Sequence, residues 1–348
     1  MAITVASLQA VLELSKDKFD KGVSGVKDAL GKLGPIALGA GVAVAAGVGA
    51  GAAAAFDMSM DIDKASRNMA ASLGISEDAA ADYEATMKGV FAEVGGDFEH
   101  IGETVALAEK SIEGLDKQQL KNLTAGALKL ERTFGKDINE SLDTAAVLME
   151  DFGLTGDQAL DFITQGLQKG LDRNDDFLDS VREYGTLFDD AGFDAGQFFS
   201  IMETGAAGGV LGTDKIADAL KEFQIRANEG GDAAKEAFGA LGLDFDQIAA
   251  SVAAGDETWA DYFDGVLAGL QNVEDPLERN RLQIALFGTQ AEDLGASFTE
   301  GLSTASTSLE DMAGATGKLS VQYASLGEMM GGFRDRAILA FTPLTDAA

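Results

Sequence analysis

The stretch from Gly74 to Ala227 repeats one short pattern, which reads Gly74-Ile75-Ser76, Gly114-Leu115-Asp116, Gly153-Leu154-Thr155 and Gly192-Phe193-Asp194. Glycine suits the left-handed residue that ends a helix. A Ser, Thr or Asp two positions later can accept hydrogen bonds from the free N–H groups that open the next helix. Each occurrence therefore predicts the end of one helix and the start of another.

Apolar residues at helical spacing fill the segments between these joints. Leu120, Leu123 and Ala127 share one face of a helix, which Asp116 and Gln119 open with the spacing of a capping box. The same spacing recurs at Thr155 and Gln158, at Asp194 and Gln197, and at Asp244 and Gln247.

Composition also favours short helices. The small number of prolines, three, permits helices, and the 43 glycines break them into short pieces. The predicted fold class is all-α: a multi-helix array of short helices joined by Gly-containing turns. A short N-terminal extended segment and an Ala/Gly-rich apolar helix or hairpin are expected to precede it. The joints lie about 40 residues apart, as in helical-pair repeats, but the residues between them do not match in detail. The period is therefore interpreted as a shared helix-pair length and not as proof of a solenoid.

Four segments are expected along the chain. Residues 1–34 form the extended segment and an amphipathic helix, and residues 35–56 form the Ala/Gly-rich apolar segment. Residues 57–300 form the helical core domain. Residues 301–348 form a Ser/Thr-rich linker and an amphipathic helix, which we expect to lead into a C-terminal region beyond Ala348.

The run from Leu33 to Phe56 has no charged residue and contains ten alanines and six glycines. Two interpretations remain open. Its Gly47 and Gly51 have the spacing of small residues that let helices pack closely, on neighbouring helices or on other copies of the chain. Its length also suffices for insertion into a bilayer, which takes about 20 apolar residues.

The charge balance excludes one class of function. The chain has 58 acidic and 26 basic residues, a net charge of −32. Nucleic-acid affinity comes mainly from Lys and Arg displacing counterions from phosphate, so specific nucleic-acid binding is not expected. The absence of cysteine excludes disulfides and thiolate metal sites.

Candidate chemical sites are weak. The single histidine, His100, follows Asp97-Phe98-Glu99 and fits a solvated helix start. Asp57, Asp61 and Asp63 form a weak carboxylate cluster.

The best calcium lookalike comprises Asp172, Asn174, Asp176 and Glu183. Phe177 stands where such a loop needs glycine, and a capped helix start is the preferred interpretation.

Two glycine-rich stretches, 205–212 and 314–319, lack the spacing of a phosphate loop and are predicted to be ordinary loops. Trp259, Tyr262 and Phe263 have helical spacing and are predicted to belong to the core. No catalytic, cofactor-binding or metal-binding residue is predicted, and the protein is not expected to be an enzyme.

The order of these features resembles the N-terminal region of tail tape measure proteins of tailed phages or prophages. The residues that carry the resemblance are Leu12 to Gly22, Ala55 to Met58, Gly74 to Ser76, Phe134 to Ile138, Gly153 to Ala159, Phe188 to Asp194, Gly208 to Asp214, and Pro276 to Leu277 with Phe287 to Gly288.

The resemblance implies a structural virion protein that templates the assembly and length of the tail tube and is ejected ahead of the DNA. It is made in the host cytoplasm, lies in the lumen of the tail tube, and meets the host membrane transiently during ejection. Its implied partners are other copies of itself and the tail tube, tail-tip or baseplate and tail assembly chaperone proteins. It implies no cofactor.

Length departs from the family. A continuous helix rises about 1.5 Å per residue, so 348 residues would measure only about 520 Å. We therefore expect this chain to be the folded N-terminal portion of a longer protein. The alternative is a membrane-active helical protein, a pore-former or effector, that inserts residues 33–56.

Overall fold

A computed structural model describes residues 60–208, 212–291 and 298–319, and these residues are mainly helical. The helices are α1 (60–73), α2 (Glu77–Val94), α3 (Phe98–Ser111), α4 (Lys117–Phe134), α5 (Ile138–Phe152), α6 (Gly156–Lys169), α7 (Phe177–Asp190), α8 (Ala195–Ala207), α9 (Thr213–Glu229), α10 (Asp232–Ala240), α11 (Phe245–Ala254), α12 (Trp259–Gln271), α13 (Pro276–Phe287), α14 (Phe298–Gly301), α15 (Leu309–Met312) and α16 (Ala315–Lys318).

The predicted all-α class is confirmed, since the described ranges contain no strand. The expected N-terminal extended segment and the Ala/Gly-rich segment 35–56 lie outside them.

The Gly-containing joints have the predicted local structure. Gly74, Gly114, Gly153 and Gly192 all have positive φ, between 64° and 88°. Asp116, Thr155 and Asp194 each form a complete capping box with the glutamine three residues later. Ser76 caps α2 by accepting a hydrogen bond from the N–H of Ala79.

The described residues fall into two compact units. The first contains residues 60–106, where α1, α2 and the start of α3 pack together. Phe91 and Phe98 stack with ring centroids 4.4 Å apart, and the carboxylate of Glu99 accepts hydrogen bonds from Lys64 and Asn68.

The second unit begins at Leu107, and three consecutive helix pairs form its first part. We call α4, α6 and α8 the A helices, and α5, α7 and α9 the B helices. Each of α4 to α7 packs against the second helix along the chain, so A helices line one side and B helices the other. The caps Asp116, Thr155 and Asp194 are evenly spaced in the sequence, without insertion or deletion. The period is thus a structural repeat as well as a shared length of the helix pairs, because helices at equivalent places make equivalent contacts.

Close contacts recur at the same spacing within the pairs. An ideal Cβ on Gly166 would lie 2.2 Å from Phe177, and one on Gly205 would lie 2.8 Å from Ile216. Both members of the second contact follow those of the first by the same interval that separates the caps of α6 and α8. Ser141 and Ser180, at equivalent places in α5 and α7, both donate to the carbonyl oxygen four residues earlier.

Aromatic side chains connect these pairs with α10 to α13. Phe162 contacts Phe199 in a T-shaped arrangement, with centroids 5.1 Å apart. Phe223 of α9 contacts Phe263 of α12 and Phe287 of α13 at 5.2 Å and 5.5 Å. All five rings are buried, so the core runs through this part of the unit.

The Ser/Thr-rich segment does not behave as the expected linker over residues 302–319. It crosses α8 and then α6, and it buries Leu302, Thr307, Met312 and Thr316. Its hydroxyl and N–H groups form hydrogen bonds with side chains of these helices. Composition alone cannot show whether such groups bond to protein or to water. The four-segment division itself stays a prediction.

Candidate assembly surface

In the loop that resembles a calcium site, the carboxylates pair with a lysine side chain. The Nζ of Lys136 lies 2.5 Å from a carboxylate oxygen of Asp172 and also pairs with Asp175. Asp172 accepts a hydrogen bond from the N–H of Phe177, and Asp176 accepts one from the hydroxyl of Thr213. The loop is therefore a structural joint between helix pairs.

The electrostatics of this joint follow from the same contacts. Burial lowers the pKa of Lys136, but hydrogen bonds to Asp172 and Asp175 raise it by more, so it lies above its ordinary value. The pairing with Lys136 holds the pKa of Asp175 below its ordinary value.

The expected loop 314–319 is a single helical turn that receives a carboxylate from the protein itself. Gly314 has a left-handed conformation, and its N–H donates to Asp161 at 2.6 Å. The N–H of Thr316 donates to the other oxygen of Asp161 at 2.8 Å. The position that would face an anion is thus occupied by Asp161, which is 8% exposed. Of the stretch 205–212, residues 209–211 lie outside the described residues.

The other sequence candidates serve structure. His100 lies half-buried in the first turn of α3, where its N–H and that of Glu99 donate to Asp97. Trp259 and Phe263 are buried as predicted.

Tyr262 is only half-buried, and its hydroxyl donates to Glu257, so the core prediction was wrong for this ring. Asp61 and Asp63 are exposed on α1, and Asp63 pairs with Arg67. Asp57 lies outside the described residues.

Within the described ranges, no group of three or more His, Asp or Glu side chains is placed to hold a metal ion. None of the described helices combines the length and the apolar character that crossing a membrane requires. Residues 33–56, on which the membrane-active alternative depends, lie outside these ranges.

Carboxylates cluster where successive B helices end. Glu150 and Asp151 lie in the last turn of α5, and Asp189 and Asp190 occupy the equivalent positions in α7. Burial raises the pKa of Asp189, and the neighbouring charges of Asp151 and Asp190 raise it further. Burial likewise raises the pKa of Asp151, against a hydrogen bond from Thr186. We call these four residues the acidic ridge, a surface suited to a partner with basic side chains.

A shallow apolar groove lies beside the ridge, between α7 and α9. It is lined by Tyr184, Leu187, Leu220 and Lys221, among others. The hydroxyl of Tyr184 donates to Asp214 at 3.2 Å, and the ammonium of Lys221 lies 5.7 Å from the centre of the Tyr184 ring. The groove is therefore fixed by polar contacts at its edge.

Sequence reasoning missed two features of this unit. Lys136 is remote in sequence from the carboxylates that it pairs, and residues 302–319 bond to helices that lie far earlier in the chain. The exact and equal spacing of the joints was the available signal for the repeated contacts. No comparable signal in the sequence links residues 302–319 to α6 and α8.

These features define a helical-repeat protein. Among the residues that the structure describes, its clusters of polar side chains hold neighbouring helices together. The chain belongs to the phage-related minor tail protein family, whose profile matches residues 91–288. It is therefore a structural protein of phage tails, as the resemblance implied.

A relative described as a "Probable tape measure protein" of Streptomyces phage phiC31 is 37% identical over 202 residues. That match covers 54% of this chain and 27% of the relative, so the chain spans about a quarter of it. No solved structure matches the chain.

Proposed function

We propose that this chain is a folded part of a tail tape measure protein, in which it serves assembly while extended helices elsewhere in the full-length protein set the tail length. The observation that carries the proposal is the match to a tape measure relative, together with an array of short helices that pack against one another. A tape needs about 1.5 Å of length per residue, which a continuous helix supplies and a folded array does not.

The partners are proposed on the same basis. They are other copies of the chain and the tail tube, tail-tip or baseplate and tail assembly chaperone proteins. The acidic ridge and the net charge of −32 favour basic surfaces on these partners. The protein is proposed to have no enzymatic activity, to be made in the host cytoplasm, to lie in the tail tube lumen of the virion and to leave it ahead of the DNA.

Tail length measured by electron microscopy tests this division of roles. A phage whose full-length protein carries a second copy of residues 153–191 gains one complete helix pair, and we expect tails of unchanged length. The control inserts a continuous helix with the same number of residues elsewhere in the full-length protein, and we expect tails longer by about 60 Å.

Three results would contradict the proposal. A gain of about 60 Å from the duplicated helix pair would make this array part of the ruler itself. Unchanged tail length with every insertion, or absence of the protein from purified virions by mass spectrometry, would exclude the tape measure function.

A further inference from the structure

Residues 302–319, which we call the strap, lie on a polar groove of the A helices. We call this the A-groove and define it by Asp161 and Thr164 of α6 and by Ser200, Glu203 and Thr204 of α8. Asp161, Thr164 and Ser200 are buried. The backbone groups of their helices are already hydrogen-bonded within the helices, so these polar side chains take partners from elsewhere. Their bonding partners are atoms of the strap.

At α6 the groove binds the end of the strap. Asp161 accepts from the N–H groups of Gly314 and Thr316, at 2.6 Å and 2.8 Å. The hydroxyls of Thr164 and Thr316 lie 2.8 Å apart and share a hydrogen bond. Two of these three bonds recognise the backbone of the strap and not its side chains.

At α8 the groove binds the first half of the strap. The hydroxyl of Ser200 accepts from the N–H of Thr307 at 3.0 Å and donates to its carbonyl oxygen at 3.1 Å. The hydroxyl of Thr204 accepts from the N–H of Ser303 at 3.1 Å. Ser200 thus satisfies both backbone groups of one strap residue, as a neighbouring strand would.

Glu203 adds a charged contact at the same end. It accepts hydrogen bonds from the hydroxyls of Ser306 and Thr307 and pairs with Lys169. Burial would raise the pKa of Glu203, but these bonds lower it by more.

The two halves of the groove have the same register in the repeat. Ser200 follows Asp161, and Glu203 follows Thr164, by one full period of the helix pairs. Successive A helices therefore present polar side chains at equivalent positions to one chain segment. Helical repeats that bind extended peptides use this arrangement, in which each repeat supplies one set of contacts.

Few apolar contacts fix the strap itself. Its buried apolar side chains are Leu302, Met312 and Ala315, whereas most residues of α8 are buried. Its regular structure is limited to two single turns, α15 and α16. Segments with few buried apolar contacts open at a lower free energy than the core around them.

We propose that the A-groove is a binding site for a polypeptide segment and that the strap is its releasable occupant. The chain then has a strapped state and an open state, and the open state exposes polar groups of the groove that can bind another chain segment. The groove recognises the backbone at Asp161 and Ser200, while Thr164 and Glu203 favour Ser and Thr in the occupant.

Hydrogen exchange of the unmodified chain is the first test. We expect the amides of Thr307, Gly314 and Thr316 to exchange together through an opening that leaves the amides of α6 and α8 protected. Exchange of strap and helix amides at one common rate under all denaturant concentrations would overturn the proposal, because the strap would then be an inseparable part of the core.

Binding in trans is the second test. A chain carrying Thr307→Pro and Gly314→Pro lacks two of the strap N–H groups that bond the groove, and proline cannot adopt the positive φ of residue 314. A labelled peptide of residues 302–319 is expected to bind this chain by fluorescence polarisation. It is expected to bind the unmodified chain far more weakly, because the tethered strap competes at a local concentration on the order of millimolar.

The control adds Ser200→Ala to the same double-proline chain. Since Ser200 makes two of the bonds that hold the strap backbone, we expect at least about tenfold weaker peptide binding. Peptide binding unaffected by Ser200→Ala, or no binding to a double-proline chain that keeps its helical circular dichroism, would overturn the proposal. Hydrogen exchange decides the question if that chain does not fold.

Discussion

The ring of Phe177 lies against the backbone of Gly166, where atoms Cε1 and Cζ are 2.2 Å from the position of an ideal Cβ. At this contact the side chain of Phe177, from the second B helix, packs directly on the backbone of the second A helix. Gly205 and Ile216 repeat the relationship in the third pair.

Gly166→Ala is expected to destabilise the protein by about 2 kcal/mol, because the added methyl group would displace a buried and rigid ring. The measurement is the free energy of unfolding in urea. Gly239→Ala is the matched control, since a Cβ there meets nothing within 4 Å and the position is exposed in α10. We expect the control to be neutral or to stabilise by about 0.5 kcal/mol. Equal effects of the two substitutions would contradict the close contact.

Thr155→Ala is expected to cost about 1 kcal/mol, because its hydroxyl accepts from the N–H of Gln158 and completes a capping box. The control is Gln168→Ala, an exposed position in the same helix, for which little change is expected. Thermal unfolding of the two variants gives the comparison. A loss at Gln168 as large as that at Thr155 would contradict the assignment of the effect to the cap.

Asp189→Asn is expected to stabilise the protein at neutral pH by about 0.5 kcal/mol. The raised pKa of Asp189 means that its charge is less favourable in the folded state, because of partial burial and of Asp151 and Asp190 nearby. The advantage of the variant should disappear as the pH falls through this raised pKa, where Asp189 becomes protonated. An advantage that persists at acidic pH would exclude the charge as its cause.

Lys136→Met is expected to cost about 2 kcal/mol, since it leaves the poorly exposed Asp172 without its cation. The raised pKa of Lys136 gives the sign of the pH dependence. The stabilisation is fully present below pH 10.5, the ordinary value, and is lost as the pH rises through the raised value. Urea unfolding of the unmodified and variant chains across this range gives the measurement.

We also expect that millimolar Ca²⁺ leaves the unfolding temperature of the unmodified chain unchanged.

The helices and their joints could be predicted because the chemistry that defines them is local. Asp116 and Gln119 satisfy each other within a single helical turn, so the pattern is visible in the sequence alone. The function of the Asp172 loop could not be predicted in the same way. In the sequence, the spacing of its acidic residues resembles that of a metal-binding loop. In the folded chain, Lys136 of the preceding helix pair lies against these carboxylates.

The strap shows the same limit in a different form. The hydroxyls of Thr307 and Thr316 look like solvated linker groups in the sequence, and only the packed A helices give them partners. Tyr262 has helical spacing with Trp259 and Phe263, but its hydroxyl keeps it at the surface beside Glu257. Periodicity located the helices, and it did not distinguish the edge of a buried face from its centre.

The even, gap-free spacing of the helix pairs has a consequence for how such a protein changes in evolution. Because each helix pair meets the next through equivalent positions, gaining or losing one whole pair recreates a junction that the chain already contains. A change of any other length would bring unlike surfaces together. Tandem duplication in whole units is thus the route by which this array can grow while every junction stays compatible with its neighbours.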